Sequence, residues 1–385
     1  MNNDALTAAR ALIPTILDLR QETEAKRRLP EAIVKGLREA RLCRTAIAEG
    51  LQGLELAAPA ALAVYEALAY AEPSVGWIVW NNSLPCLLSR YLDPAARTEI
   101  FLDPTWLYAG STRPTGRAIV DGDGYRVEGR WSLVSGCELA EWLLLLCLVE
   151  ENGAPRMAAP NVPETRFVFV RRGAYEIVDT WHVGGLRGTG SHDVVVKGHR
   201  VAYAHTLSPA DVSTLDGPLG RTPIICLMDA GYGAQALGVG QRAVDTLLEL
   251  TKTKVAPDTG QALREQPAVL EAITRHNTAL DAARTYLHAK VAEVWQGAAS
   301  SAQPSLAAIA GVWAAGHHAA AAGKAAVDAM YAAGGTSSLY NDCPLERAHR
   351  DIHAMLRHIV VQPFWLADAS RVRLGLKPSH PLFAV

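Results

Sequence analysis

The spacing of apolar side chains divides the chain into three regions. Apolar residues recur every three or four positions in the first hundred residues, which predicts helices. The clearest of these helical patterns cover Ala5–Leu12, Pro30–Ala40 and Ala57–Ala71. Short apolar runs separated by turn residues follow, and long Ala-rich helical patterns return from Pro223 onward. Strands confined to the middle of the chain favour an α+β fold over alternating β-α units.

These regions predict three domains. We expect an N-terminal α-helical domain over 1–105, a middle β domain over 106–210 and a C-terminal helical bundle over 211–385. Within the β domain, Arg117–Val120 and Tyr125–Arg130 flank Asp121-Gly122-Asp123-Gly124, which is a hairpin signal. Further strands are expected over Trp142–Val149, Arg166–Val170, Tyr175–Val178 and Asp193–Val196.

Composition and charge narrow the function classes. The chain has 385 residues with a net charge of -2, so it lacks the basic footprint of a nucleic-acid or membrane-surface protein. No signal-peptide pattern is recognisable, and the apolar run Trp142–Val149 is too short to span a bilayer. Six cysteines without a C-x-x-C pair fit reduced thiols better than a disulfide frame. We therefore expect a cytoplasmic protein with neither nucleic-acid nor membrane partners.

A glycine-rich segment, Gly231–Ala236, matches the G-x-G-x-x-A form of a dinucleotide fingerprint. That fingerprint works only between a strand and a helix of a βαβ unit. Here a helical pattern continues through Gly240 to Leu250, and no parallel strand follows. The glycines are therefore predicted to let two helices approach each other closely.

The C-terminal histidines are candidates for metal binding. His349 and His353 have the i, i+4 spacing of a helical metal pair. Arg350 lies between them, and its cationic side chain disfavours a divalent ion, so we predict no metal. Arg350 and Asp351 are interpreted as an internal ion pair that fixes the helix, and one histidine is expected to face a pocket.

Three further segments could bind a ligand. The turn Gly334–Ser338 offers free backbone amides to an anion and precedes the helix that leads to His358, a candidate acid/base group. Gly129–Gly136 reads either as an edge that hydrogen-bonds a flat heterocycle or as a Trp-anchored strand and turn. Trp181–Ser191 reads either as a ligand loop or as a plain connection between strands.

Taken together, these segments resemble the acyl-CoA dehydrogenase superfamily, and within it the flavin-dependent monooxygenases of two-component aromatic hydroxylase systems. The resemblance extends over nearly the whole chain. It rests on Leu29-Pro30 through Ser74-Val75-Gly76-Trp77, Gly124 through Ser135-Gly136, Trp181 through Ser191, and Gly334-Gly335 through Arg350-Asp351 and His358.

The resemblance implies a helical N-terminal domain, a β-barrel-like middle domain and a C-terminal four-helix bundle, assembled as a homotetramer. Flavin would lie between the β domain and the bundle, with a neighbouring subunit's Gly334-Gly335 turn near its phosphate or adenine end. The implied cofactor-binding residues are Trp131, Ser135, Gly136, Arg187, Lys254, Gly334, Gly335 and Ser337. The implied substrate pocket contains Trp80, Asn82, Ser111 and His358, with Ser135 and His358 as catalytic residues.

Two departures from the family pattern select the branch. Dehydrogenases that use a C-terminal glutamate place it where this chain has Leu356-Arg357-His358-Ile359, so the base for α-proton abstraction is missing. Phenol hydroxylases of the monooxygenase branch often carry a substrate-activating histidine in the segment that corresponds to Trp80–Leu84, and this chain has none there. An indole-type substrate, which needs no phenol deprotonation, is therefore credible.

The expected function is that of the oxygenase component of a reduced-flavin-dependent monooxygenase. Reduced FAD or FMN would come from a separate NAD(P)H-dependent reductase and react with oxygen to give a flavin hydroperoxide. Transfer of oxygen would hydroxylate or epoxidise a small electron-rich aromatic compound such as an indole or phenol. Two alternatives stay open: an acyl-CoA dehydrogenase-like dehydrogenase or flavin oxidase with a different base, and a non-catalytic assembly protein on the same fold.

Overall fold

The computed structural model describes residues 2–208, 211–255, 260–300 and 303–379. Its helices are α1 (Asn2–Asp18), α2 (Arg20–Lys26), α3 (Glu31–Glu39), α4 (Ala58–Ala71), α5 (Pro73–Leu88), α6 (Pro94–Phe101), α7 (Gly217–Arg221), α8 (Ile224–Thr251), α9 (Pro267–Ala299), α10 (Leu306–Ala333), α11 (Pro344–Met355) and α12 (Phe364–Arg373). Its strands are β1 (Leu107–Asp121), β2 (Gly124–Val134), β3 (Ala140–Glu151), β4 (Ala154–Pro155), β5 (Met157–Ala159), β6 (Val162–Pro163), β7 (Thr165–Arg171), β8 (Glu176–Val178), β9 (His192–Ala202) and β10 (Thr206–Leu207).

The α+β class is confirmed, with helices before and after a central group of strands. The three predicted N-terminal helices correspond to α1, α3 and α4. Pro30 precedes α3, which buries Ile33, Val34 and Leu37 on one face. The domain boundary expected at residue 210 lies outside the described residues.

The strands form a mixed sheet in the order β10-β7-β3-β1-β2-β9-β8, with β4 added beside β3. The predicted hairpin is confirmed, because β1 and β2 pair antiparallel up to Asp121 opposite Gly124. β1 and β3 run parallel, and their register shifts between Ser111 and Gly116. This irregularity brings the end of β1 that carries Ser111 towards α5, which contacts β1.

The near-continuous apolar run of β3 follows from its position between two cores. Trp142 and Leu144 pack with the helices. Leu143 and Leu145, which point to the opposite face, pack inside the β domain. A strand covered on both faces needs no polar alternation, and this explains the run without invoking a membrane. Within the described residues, no helix combines the length and apolarity needed to cross a bilayer.

The glycines of α8 are confirmed as sites of close helix contact. A Cβ atom on Gly233 would lie 3.0 Å from the Gly316 Cα atom of α10, and one on Gly240 would lie 3.0 Å from the Gly323 Cα atom. On another face of α8, a Cβ atom on Gly238 would lie 2.3 Å from the Glu66 carbonyl oxygen of α4. The segment that resembles a dinucleotide fingerprint is therefore an uninterrupted helix packed against two others.

Candidate active site

A chain of hydroxyl groups joins the end of β2 to the loop before β9. The indole Nε1–H of Trp77 on α5 donates to Ser135 Oγ at 3.1 Å. Ser135 Oγ lies 2.7 Å from Ser191 Oγ, which lies 2.7 Å from Thr189 Oγ1. Thr189 Oγ1–H donates to the Leu186 carbonyl at 2.8 Å, so the chain ends on an acceptor. Because the last acceptor is a carbonyl oxygen, we infer that each hydroxyl group donates its hydrogen bond in the direction of Leu186.

Trp77 also belongs to a cluster of four rings, here called the aromatic box: Trp77, Trp80, Tyr232 and His358. The His358 ring centroid lies 5.3 Å from that of Trp77 and 5.4 Å from that of Trp80, with edge-on geometry. Tyr232 of α8 is stacked with His358 at 6.2 Å. Trp77 and Trp80 share a face of α5 because residues three apart on a helix are neighbours. The predicted catalytic residues Ser135 and His358 therefore both contact the Trp77 indole.

His358 lies beyond the end of α11 and caps the 3₁₀ turn Ile359–Val361. Its Nδ1 accepts a hydrogen bond from the Val360 backbone amide at 3.4 Å, which leaves Nε2 to carry the proton. Burial, and to a smaller extent the Arg113 guanidinium on β1, lowers the pKa of His358 to about 4. His358 is therefore a neutral imidazole at pH 7.

Two of the predicted substrate-pocket residues, Trp80 and His358, belong to the aromatic box, and the other two, Asn82 and Ser111, lie outside it. Trp80 is in the box, whereas Asn82 uses its whole amide elsewhere: Nδ2 donates to the Cys43 carbonyl, and Oδ1 accepts from the Tyr108 amide at 2.6 Å. Ser111 is buried at the β1 irregularity, where its Oγ accepts from the Arg113 amide at 3.4 Å. Both polar atoms of the Asn82 amide are thus engaged within the protein, and Asn82 ties α5 to β1.

Four of the predicted cofactor residues come together beyond the C-terminal end of α8. Lys254 Nζ donates to the Gly334 carbonyl and, at 2.8 Å, to Ser337 Oγ. Gly335 has φ +55°, and a Cβ atom on it would lie 3.6 Å from Lys254 Nζ. A lysine cation held beside a glycine turn with exposed backbone is suited to a phosphate group. We call this group the lysine–glycine cluster.

Trp131 is not brought to the hydroxyl chain. Its side chain is fully buried in the core of the β domain, and its Nε1–H donates to the Leu146 carbonyl at 2.8 Å. Strict alternation would place residues 131 and 135 on one face. The left-handed backbone at Leu133, with φ +61°, breaks that alternation before Ser135. For Trp131, the second alternative given for Gly129–Gly136 therefore applies: its side chain anchors the strand in the core of the β domain.

Gly136 and Arg187 have supporting positions. Gly136 adopts φ +75°, and its amide donates to the Thr189 carbonyl at 2.9 Å, which fixes the turn that presents the hydroxyl chain. Arg187 Nε forms an ion pair with Glu24 Oε1 at 3.5 Å, without hydrogen-bond geometry. Arg187 therefore links the loop before β9 to α2.

The expected ion pair between Arg350 and Asp351 is wrong. Adjacent residues on a helix point about 100° apart, so their side chains diverge. Arg350 instead pairs with Glu346 at 2.6 Å and Glu24 at 2.9 Å. Asp351 Oδ1 accepts from the Leu186 amide at 2.6 Å, so α11 holds the loop on which the hydroxyl chain ends.

The histidine pair of α11 lies beside an aspartate of α10. The ligand atoms of Asp328, His349 and His353 lie within 4.8 Å of one another. The Lys324 ammonium is bonded to the same Asp328 carboxylate and opposes a second cation there. His353 Nε2 is already 2.9 Å from Asp328 Oδ1. These contacts describe a charged surface network, and we assign no metal to it.

Several residues of the site were not predicted as site residues. Ser191 and Thr189 extend the hydroxyl chain, and their place inside the small-residue loop was the available signal. Tyr232 lies in the middle of the glycine-rich helix, where one large aromatic among glycines marks a contact point. Asp229, one turn earlier, is a buried carboxyl group that no sequence pattern indicates.

Residues 230–363 match the family of the acyl-CoA dehydrogenase C-terminal domain. In its helix–strand–helix order and in this C-terminal match, the chain resembles the acyl-CoA dehydrogenase superfamily.

Among its relatives is the flavin-dependent monooxygenase oxygenase subunit HsaA of Mycobacterium tuberculosis, 28% identical over 93% of this chain and 92% of that protein. Indole-3-acetate monooxygenase of Pseudomonas putida is 23% identical over 93% of this chain and 90% of that protein. The structure of XiaF from Streptomyces sp., in complex with FADH2 and glycerol, superposes with a TM-score of 0.92 at 24% identity, covering 99% and 97% of the two chains.

Proposed function

We propose that this chain is the oxygenase component of a two-component monooxygenase, which uses reduced flavin and oxygen to oxygenate a small electron-rich aromatic compound of the indole or phenol type. The observation that carries the proposal is the aromatic box. It places a neutral histidine across one indole from the Ser135 hydroxyl, at the position where a dehydrogenase would need a carboxylate base.

The hydroxyl chain fits a reduced flavin. If each hydroxyl donates towards Leu186, Ser135 Oγ accepts from Trp77 and keeps one lone pair free. A reduced flavin carries an N–H at its reactive edge, which an oxidised flavin lacks, so this lone pair favours the reduced form. When bound, the reduced flavin supplies the electrons that activate oxygen for transfer of one oxygen atom to the substrate.

His358 and its neighbours supply the remaining functions. With Nδ1 held by the Val360 amide, the His358 Nε2–H can donate to an oxygen atom in the box or deliver a proton there. Trp77, Trp80 and Tyr232 flank the partly exposed His358 ring, and a substrate bound against these rings would displace water from it. Exclusion of water favours oxygen transfer over the release of hydrogen peroxide.

We further propose that one flavin is held by two copies of the chain. Tyr232 in the box and Thr251 near the lysine–glycine cluster are 19 residues apart on the single helix α8, or about 28 Å. That span exceeds the length of a flavin nucleotide, so both sites of one copy cannot serve the same molecule. Lys254 would therefore bind the phosphate of a flavin in a neighbouring subunit, in a homotetramer.

Two other parts of the function remain proposals. A separate NAD(P)H-dependent reductase would supply the reduced flavin, because the glycine-rich segment that could suggest a nicotinamide site is an internal helix. All six cysteines are unbonded, five of them buried, which fits a reducing compartment such as the cytoplasm.

Replacing Lys254 by methionine tests the phosphate site. The affinity for reduced FMN and FAD should fall about tenfold, because a charge-assisted contact to phosphate is lost. The affinity for reduced riboflavin, which has no phosphate, should not change. Anaerobic titration measures both. Lys252→Met is the matched control, because Lys252 is exposed and paired with Glu249. Equal losses for riboflavin and FMN would contradict the assignment.

A dehydrogenase or oxidase is the second candidate, and the observation in its favour is the unpaired carboxyl group of Asp229, a possible base on α8. Anaerobic mixing of the oxidised flavin-loaded protein with acyl thioesters and nitroalkanes distinguishes the two functions. We expect the flavin absorbance to persist without a reductase. Bleaching that is lost in Asp229→Asn would replace the monooxygenase proposal with this one.

A further inference from the structure

Asp229 is an unusual buried carboxyl group. It is 2% exposed, and within the described part of the chain neither of its side-chain oxygens has a hydrogen-bond partner. Glu72, which is equally buried, is paired with Arg347 at 3.1 Å. An unsatisfied buried polar group is costly, so its persistence suggests a role that the unliganded protein does not fulfil.

A second unsatisfied group lies beside it. Tyr232 follows Asp229 by one turn of α8, its hydroxyl has no hydrogen-bond partner among the described residues, and Asp229 is close enough to raise its pKa. Across the helix contact, a Cβ atom on Gly316 of α10 would lie 2.2 Å from Asp229 Oδ2. We call Asp229 and Tyr232 the polar wall.

The polar wall adjoins the aromatic box through a shared residue. Tyr232 contributes its ring to the box and its hydroxyl to the wall. Residues three apart on a helix lie on the same side, so Asp229 extends the face of α8 that Tyr232 presents. A flat substrate bound against the box would therefore direct a substituent or ring atom towards Asp229.

The wall contains more acceptors than donors. A carboxyl group in either protonation state has at least one oxygen that can only accept. The Tyr232 hydroxyl can donate one hydrogen bond and can also accept one. Even if Tyr232 donates to Asp229, lone pairs of the two groups stay free to accept from a ligand.

We propose that Asp229 is a specificity-determining residue, which with Tyr232 accepts hydrogen bonds from an N–H or O–H group of the aromatic substrate. The substrate class is thus an electron-rich aromatic compound that bears a donor, such as a ring N–H or an amine. This inference rests on the proposed monooxygenase function. A site built to bond a donor discriminates strongly against an isostere without one, because its own buried groups stay unpaired.

The test uses matched ligand pairs and the complete protein loaded with reduced flavin. Anaerobic calorimetry measures the Kd of indole and benzofuran, and of aniline and toluene, so that binding is read without turnover. For at least one pair, we expect Asp229→Ala to lower the preference for the donor-bearing member about tenfold relative to the wild type. The ratio of the two Kd values in the variant is compared with the same ratio in the wild type, so the difference in solvation between the two ligands cancels.

Two further variants make the result decisive. Asp229→Asn keeps the volume of the side chain, so it decides the test if the alanine variant does not fold. Its preference for the donor-bearing ligand should be at least about threefold lower than that of the wild type. Asp245→Asn is the matched control on the same helix, where the carboxylate already accepts from the Tyr70 hydroxyl at 2.8 Å, and should change nothing.

An unchanged ratio in Asp229→Asn, or a wild type without donor preference in either pair, overturns the inference and leaves ordered water as the partner of the wall. These outcomes are distinct from failure of the proposed function. That failure would appear in a separate turnover assay, as wild-type protein that oxygenates none of these aromatics although reduced flavin and oxygen are supplied.

Discussion

Replacing His358 by alanine is expected to separate oxygen consumption from product formation. Reduced flavin should still bind, because Ser135 and the lysine–glycine cluster are unchanged. Product formed per oxygen consumed should fall by a factor on the order of 10², the usual contribution of a positioned acid/base group. Oxygen should instead appear as hydrogen peroxide, because the variant lacks the Nε2–H donor and opens a water-sized space among three rings. Parallel measurement of oxygen, peroxide and product gives the ratio.

Two controls separate the chemistry of His358 from its packing. His358→Gln retains an N–H donor and much of the volume, so it should recover part of the coupling. Tyr232→Phe keeps the stacked ring and removes only a hydroxyl, so it should stay closer to the wild type with a substrate that lacks a donor. Coupling in His358→Ala equal to that of the wild type would remove His358 from the mechanism.

Replacing Gly323 by alanine is expected to destabilise the helical bundle. The added Cβ atom would lie 2.2 Å from the Ala236 carbonyl oxygen, so α8 and α10 would have to separate. Overpacking of this kind costs about 1–3 kcal/mol of the free energy of unfolding. Because α8 carries Tyr232 and Asp229, the same shift should also weaken substrate binding. Denaturant unfolding and ligand titration measure the two effects.

Gly297 provides the matched control in α9. A Cβ atom there would have no neighbour within 4 Å, so Gly297→Ala should be neutral or stabilise the protein by about 0.5 kcal/mol. A Gly323→Ala protein as stable as the wild type would show that the two helices have slack that the structure does not reveal. Such slack would also allow Asp229 to shift relative to α10.

The sequence predicted features that depend on neighbouring residues along the chain. The β1–β2 hairpin depends on a turn signal between two alternating runs, and α3 depends on apolar spacing after Pro30. The glycines of α8 were correctly assigned to helix contact because no strand precedes them. These predictions succeeded because propensity, pattern and packing agree at those positions.

Residues that act across elements were harder to assign. Trp131 and Ser135 are an even number of residues apart, so an unbroken strand would point both side chains to one face. The left-handed backbone at Leu133 breaks this alternation and places the two side chains in different surroundings. Asn82 looked like a pocket residue, yet its amide is used by Cys43 and Tyr108, which lie far from it in sequence. Asp229 has no signal, because its importance comes from the absence of a partner, which only the folded chain reveals.

Isotope labelling during turnover tests the central claim most directly. The protein is given reduced flavin from a reductase, ¹⁸O₂ and an aromatic donor such as indole, and the product is analysed by mass spectrometry. The account predicts one ¹⁸O atom in each primary oxygenated product and oxygen consumption that exceeds the peroxide released. Product without label, or peroxide equal to all oxygen consumed for every aromatic offered, would contradict it.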